Sequence, residues 1–318
     1  MSNIEQAYRG YGFAGRGQKN GCTVYQLKGE GGSGEMVCYD IAPGIQMSFN
    51  QLTMDSTFQS IAPVKKFLQI DYCIEGCYEV EYQNGTVSFL GEGDLCVTDL
   101  SRQVFVSSRL PLRKYRGVTL FLEVEKAQHT LSAGFPQAEI NLAGIVNELC
   151  GKEQSLLVKS REDVERIFGK LSEVDERIQA PYYWIKTMEL LLFLSVLDEG
   201  QRQPLKIFSG EVARSTKAVY HYILENPLAK VTISELASQF DITESSLKRC
   251  FRSISGSSIG TFMKAKRMEA AAELLTAGEK LSIGEIAERA GYENQSKFSA
   301  AFKSVYGVTP LLYQNRHL

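Results

Sequence analysis

The sequence predicts an α+β chain: an amino-terminal β-barrel, a helical connector and an all-α carboxyl-terminal part built from two helix-turn-helix units. Three observations carry that reading. Val37 to about Leu122 alternates with period two and turns every ~8 to 12 positions. After Pro136 the apolar period becomes helical. Near the end, a stretch of the chain recurs once at an offset of about 50 residues.

Taken in order, Phe67–Ile74 and Cys77–Tyr82 read as two strands joined at Glu75-Gly76. Asn84-Gly85 opens the next turn before Thr86–Leu90, and Gly91-Glu92-Gly93-Asp94 leads into Leu95-Cys96-Val97. Hairpins so evenly spaced usually close into a barrel or sandwich, which hides their edges. Ile145–Cys150 reads as a helix, and Ser160-Arg161-Glu162-Asp163 as a capping signature before Val164, Ile167, Phe168 and Leu171. Pro181 suits a first helical position, and Tyr182–Leu197 beyond it is apolar on most sides. That helix must be buried, against a second copy of the chain or against its own barrel. Gln201–Pro204, between Gly200 and Gly210, reads as a linker. The expected domains are 1–135, 136–208 (the connector, with a dimerisation role) and 209–318.

A length of 318 residues suits two domains, and 44% apolar with 23% charged residues is ordinary globular composition. The longest apolar run, Leu190–Leu197, falls far short of the ~18 residues of a membrane span. Met1–Gly10 lacks the apolar core of a signal peptide. No membrane association is expected, and seven cysteines without paired metal spacing fit a reducing, cytoplasmic setting. The net charge of -2 hides an asymmetry: Val212–Leu318 holds 14 Lys and Arg against 10 Asp and Glu, net +4, and the remainder is -6. A weak basic bias of that kind is compatible with phosphate contact and equally with a solvated helical face.

The repeat is the most informative feature. Thr232-Ile233-Ser234-Glu235-Leu236-Ala237 aligns with Ser282-Ile283-Gly284-Glu285-Ile286-Ala287 at an offset of 50, and each opens with a capping box. Turns follow at Asp241-Ile242-Thr243 and at Gly291-Tyr292-Glu293-Asn294, the second longer by one residue. Ser245, Leu247, Phe251, Arg252, Ser253 and Gly256 then match Ser296, Phe298, Phe302, Lys303, Ser304 and Gly307 at an offset of 51. The i,i+4 pairs Leu247/Phe251 and Phe298/Phe302 point inward, which turns Ser245, Lys248, Arg249 and Arg252 outward. A short helix, a tight turn and a second helix with polar outer positions can enter a major groove, so double-stranded DNA is the expected partner. A single helical hairpin is a common scaffold; two are more telling. Ile259–Leu275, with Ile259, Phe262, Met263, Ala270 and Leu274 on one side, would bridge them as a rigid spacer between grooves ~34 Å apart.

Here the chain resembles the regulators related to the arabinose-operon activator (AraC/XylS type). The resemblance rests on Ile286-Ala287 through Gly291-Tyr292, Phe298-Ser299, Ala301-Phe302-Lys303, Gly307-Val308-Thr309-Pro310 and Tyr313, and covers about Gly210 to Gln314. It implies that both second helices enter the major groove. Matched position by position, it nominates Ser245, Lys248 and Arg249 in the first and Gln295, Ser296 and Ser299 in the second. Arg252 and Lys303 sit at positions suited to phosphate contact. Two departures stand out: Ala300, where many relatives carry arginine, and Gln314, where arginine is frequent. The resemblance also implies a cupin-like effector barrel, a small-molecule effector and control of transcription through RNA polymerase.

Other readings of the amino-terminal half remain. An enzymatic metal cupin would need several histidines, and the only three, His129, His221 and His317, lie outside the barrel strands. Cys73 and Cys77, flanking the turn read at Glu75-Gly76, are a thiolate pair or small buried apolar positions. Tyr72, Tyr78 and Tyr82 line a pocket or pack, and the sequence does not say which strand face is interior. A barrel that only dimerises or recruits polymerase, without an effector, is the main functional alternative. No catalytic residue, cofactor, metal or ligand-binding residue is assigned.

Overall fold

Strand pairing in the amino-terminal half is set by which apolar faces can be covered. The computed structural model describes residues 13–19, 21–57, 66–102, 104–151, 155–158, 161–277 and 281–317. Its contacts divide the chain into two units, Met1–Gly210 and Glu211–Leu318.

The first unit holds β1 (Phe13–Lys19), β2 (Cys22–Gly29), β3 (Gly32–Ala42), β4 (Ile45–Thr53), β5 (Phe67–Tyr82), β6 (Thr86–Gly91), β7 (Leu95–Asp99), β8 (Phe105–Arg109) and β9 (Lys114–Glu123). Three later strands, β10 (Ser155–Val158), β11 (Arg202–Pro204) and β12 (Ile207–Ser209), join the same sheet. The antiparallel path runs β1-β2-β3-β4-β9-β5-β7-β10-β11. The far half of β5 also carries β6 and β8, and β12 pairs with β6. Among the described residues β1 and β11 do not pair, so the sheet is mostly antiparallel but not closed.

Two expectations are corrected. Glu75-Gly76 is not a hairpin turn: β5 runs unbroken through it, because β9 pairs with it from Phe67 to Gly76. The register shifts between Cys73 and Glu75, and Gly76 has φ +88 with Lys114 O only 2.0 Å from where a Cβ would stand. A bulge uses the same residues as a turn, and here the distant partner strand decides between them. Cys73 and Cys77 accordingly lie on one strand rather than on adjacent ones. Gln201–Pro204, read as a linker, is largely β11, held to β10 and followed by β12 with Phe208 buried against Phe89.

Helices α1 (Val124–Gly134), α2 (Leu142–Cys150), α3 (Arg161–Phe168) and α4 (Gln179–Ser195) cover one sheet face. Leu68, Ile70 and Tyr72 meet Val164, Phe168 and Leu191 there, and Tyr72 stacks on Phe168 with ring centroids 4.6 Å apart. Each such buried side chain contributes roughly 1.5–3 kcal/mol of transfer free energy. Ser160, the expected cap of α3, lies outside the described residues. α4 starts two residues before Pro181, which therefore occupies the third position, still within the first turn where an amide has no helical acceptor. Its Tyr183, Leu190, Leu191 and Leu194 pack within its own unit, while Ile185 and Leu192 remain exposed.

The second unit is helical: α5 (Gly210–Glu225), α6 (Ile233–Gln239), α7 (Glu244–Ser255), α8 (Ile259–Thr276), α9 (Ile283–Arg289), α10 (Gln295–Tyr306) and α11 (Pro310–His317). α8 does bridge the two hairpins, but not by a single face. Ile259, Phe262 and Met263 join the first cluster with Leu236, Leu247 and Phe251, whereas Met268, Ala271, Ala272 and Leu275 join the second with Ile286, Phe298 and Phe302. Serving two cores in turn, the helix needs apolar residues on different sides at its two ends, so Ala270 and Leu274 are only partly buried.

Candidate nucleic-acid interface and enclosed cavity

Each hairpin starts from its capping box. Thr232 Oγ1 accepts from Glu235 N at 3.2 Å, and the Glu235 carboxylate accepts from Thr232 N at 2.7 Å. In the second copy Ser282 and Glu285 repeat this at 3.2 and 2.7 Å. The bonds from the capped backbone amides hold both glutamates below the usual carboxylate range, with the hydroxyl bonds adding to them. The turns then pass through left-handed backbone at equivalent places, Asp241 (φ +50) and Gly291 (φ +76). They close with Ile242 N to Ala237 O at 3.0 Å and Tyr292 N to Ala287 O at 2.9 Å. Thr243 and Asn294 cap α7 and α10 by accepting from Ser246 N and Lys297 N. Leu247, Phe251, Phe298 and Phe302 are fully buried, as the repeat predicts.

That inward register fixes the outward one. Ser245, Lys248, Arg249 and Arg252 are exposed on α7; Gln295, Ser296, Ala300 and Lys303 are exposed on α10, and Ser299 is half-buried. Lys248 pairs with Glu244 at 2.5 Å. Lys297, held by Glu293, adds an exposed cation at the start of α10 that the sequence reading did not nominate. Its signal was its place one residue after Ser296.

The first unit encloses a second feature. In β5 the odd residues Phe67, Gln69, Asp71 and Cys73 share one face, but the bulge shifts the parity, so Tyr78, Val80 and Tyr82 face the same interior. A cavity of about 90 Å³ lies there. Tyr78 and Tyr82 line it, whereas Tyr72 is on the helix-covered face. Among the described residues Asp71 is its one charged lining side chain, and sequence reasoning missed it; an aspartate inside the apolar run Phe67–Cys73 was the available signal. Thr119 Oγ1 donates to Asp71 Oδ1 and Gln69 Nε2 to Oδ2, both at 2.7 Å, and Asn50 Nδ2 donates to Thr119 Oγ1 at 3.0 Å. Burial pushes the Asp71 pKa up to about 6 against the lowering effect of the Thr119 and Gln69 bonds. Cys73 and Cys77 are buried free thiols, and burial raises the Cys73 pKa far above its ordinary range.

A helix-turn-helix domain family model matches residues 236–316. The HTH-type transcriptional activator AarP of Providencia stuartii is 31% identical over 94 residues, which is 29% of this chain and 68% of that protein. The RCS-specific HTH-type transcriptional activator RclR of Escherichia coli is 33% identical over 99 residues, 31% of this chain and 34% of that protein. Among solved structures, the C-terminal domain of AraT, a response regulator from Geobacillus stearothermophilus, is 35% identical. That match covers 35% of this chain and 88% of that one, with a TM-score of 0.31. The chain spans between about a quarter and two fifths of the length of the first curated relatives it matches.

Proposed function

The chain belongs to the AraC/XylS-type family of transcription regulators, and from that premise we propose that it is a sequence-specific DNA-binding regulator of transcription controlled by a small-molecule effector. The observation that carries this is the tandem of hairpins with matching caps and cores and polar, partly cationic outer faces. In this reading residues 209–318 bind double-stranded DNA. Ser245, Lys248 and Arg249 on α7, and Gln295, Ser296 and Ser299 on α10, meet base edges, while Arg252 and Lys303 hold phosphates. Residues 1–135 supply most of a cupin-like effector module, and 136–208, which adds β10, β11 and the start of β12 to its sheet, connects it to the reader. The cavity in the first unit supports an effector over a module that only dimerises.

A second copy of the chain and RNA polymerase are the proposed protein partners. The first is supported by Ile178, Ile185 and Leu192, exposed at seven-residue spacing along α4 and its approach. No helix among the described residues is long and apolar enough to cross a membrane, which agrees with a cytoplasmic regulator. No catalytic role is assigned.

The test is selection of duplexes from random DNA by the full-length protein, followed by titration at several salt concentrations. One sequence should be enriched, and Arg252→Ala or Lys303→Ala should weaken all duplexes alike, lowering the slope of log affinity against log salt by about 0.9 per phosphate lost. Failure to enrich any sequence would overturn the proposal.

A further inference from the structure

The cavity in the first unit has an unbalanced chemistry. Its walls are aromatic and aliphatic: Tyr78 and Tyr115, with ring centroids 5.1 Å apart, Phe121, Leu27, Met36 and Leu52. Among the described residues one carboxylate faces into it, and no lysine, arginine or histidine lines it. No salt bridge reaches Asp71 among the described residues. A carboxylate without a counter-ion in such a place is costly.

The hydrogen bonds show which protonation state the site is built for. Asn50 donates to Thr119, whose hydroxyl hydrogen is thereby directed to Asp71 Oδ1, and the Gln69 amide donates to Oδ2. Both oxygens therefore face donors, an arrangement that suits an ionised carboxylate. Each oxygen keeps a lone pair, and the surface Asp71 retains opens into the cavity. With the pKa lifted to about 6, the group is still mostly ionised at neutral pH. An anion held by neutral donors, with aromatic faces beside it, is complementary to a cation that brings its own apolar body.

We propose that the cavity takes a small primary amine with a ring-sized apolar body, its ammonium seated on Asp71 and its ring among Tyr78, Tyr115 and Phe121; this rests on the effector reading given above. The room of about 90 Å³ corresponds to on the order of six to nine water-sized groups, which limits the ligand to a small molecule. Thr119 and Gln69 are positioning residues that orient the carboxylate.

The experiment is calorimetric titration of the full-length protein with three probes of one shape and different charge: benzylamine, benzyl alcohol and benzoate. Benzylamine should bind roughly ten- to a hundredfold tighter than benzyl alcohol, and benzoate should be rejected. Asp71→Asn should remove that preference while leaving benzyl alcohol affinity unchanged, which also reports that the variant keeps its cavity. Equal binding of amine and alcohol to the wild type, or an amine preference that survives Asp71→Asn, would overturn the amine class and leave the effector reading standing. Binding of none of the three would likewise overturn the amine class. The wild-type order of the three probes decides the matter even if Asp71→Asn does not fold.

Discussion

The two helical hairpins share a scaffold and differ in what they present. Caps, turns and inward aromatic positions repeat at offsets of 50 and then 51. On the outer faces, Lys248 and Arg249 of α7 stand where α10 has Ser299 and Ala300. Packing demands constrain the inside of both copies in the same way, whereas the outside is free to diverge with whatever it reads. The comparison predicts equal responses to internal substitutions and unequal responses to external ones.

The largest expected effect tests the equality. Phe251→Ala and Phe302→Ala each remove a fully buried ring, Phe251 beside Phe262 at 5.3 Å and Phe302 between Tyr306 at 4.6 Å and Tyr313 at 5.4 Å. Each should cost about 3–5 kcal/mol, read as lost amide-exchange protection in the affected hairpin of the full-length protein. A loss confined to one of the two variants would show that only one hairpin depends on its aromatic core.

Inequality is expected next, at the base edges. Arg249→Ala should relax preference at one base position by ~1 to 3 kcal/mol, roughly ten- to a hundredfold, since a planar guanidinium can bond guanine O6 and N7 together. Ser299→Ala, one residue before Ala300 in the second copy, should change any preference by less. Sites selected from random DNA by each variant would decide. An unchanged motif from Arg249→Ala would reduce that side chain to a phosphate contact.

These hairpins could be read from the sequence because what specifies them is local. A Thr or Ser three residues before Glu and aromatic residues four apart need no distant partner to be interpreted. The first unit is different. Glu75-Gly76 carries the same local signal as a turn, and only β9, some 40 residues later in the chain, makes it a bulge. Ser155–Val158 and Arg202–Pro204 are too short to be strands without β7 and each other. The cavity was hidden for the same reason. Asp71, Thr119 and Asn50 meet from three strands, and period-two alternation gives two faces without saying which is interior. In β5 the answer even changes along the strand.

The caps offer a smaller test of equality. Thr232→Ala and Ser282→Ala should each cost about 1 kcal/mol, since each leaves a helical amide without its acceptor. Both partner glutamates titrate below their usual range, so the stabilisation they supply is complete above that range and is lost as pH falls through the lowered pKa values. Exchange protection at the Thr232 and Ser282 amides, from which the two carboxylates accept, should fall at the same pH in both copies on acidification. A clear separation would mean that one box is held by contacts the other lacks.

A further difference between the copies, of similar or smaller energy, lies in the turns. The left-handed position is Gly291 in the second hairpin but Asp241 in the first. Left-handed backbone costs a residue with a Cβ on the order of 1–2 kcal/mol, less for aspartate, whose short side chain tolerates it. Glycine has no such cost in the folded chain but loses more backbone freedom on folding. The two effects oppose each other, so Asp241→Gly should stabilise the first hairpin by no more than about 1 kcal/mol. Gly291→Ala should destabilise the second by about that amount or somewhat more. Steric crowding is not the reason, because a Cβ at Gly291 would meet only the Lys230 side chain at 3.6 Å, an ordinary contact; the backbone angle is. Thermal melting of the two variants beside the wild type would read the signs. If Asp241→Gly proved destabilising by more than 1 kcal/mol, the Asp241 side chain would be supporting the turn, and the first copy would rest on chemistry that the second does not have.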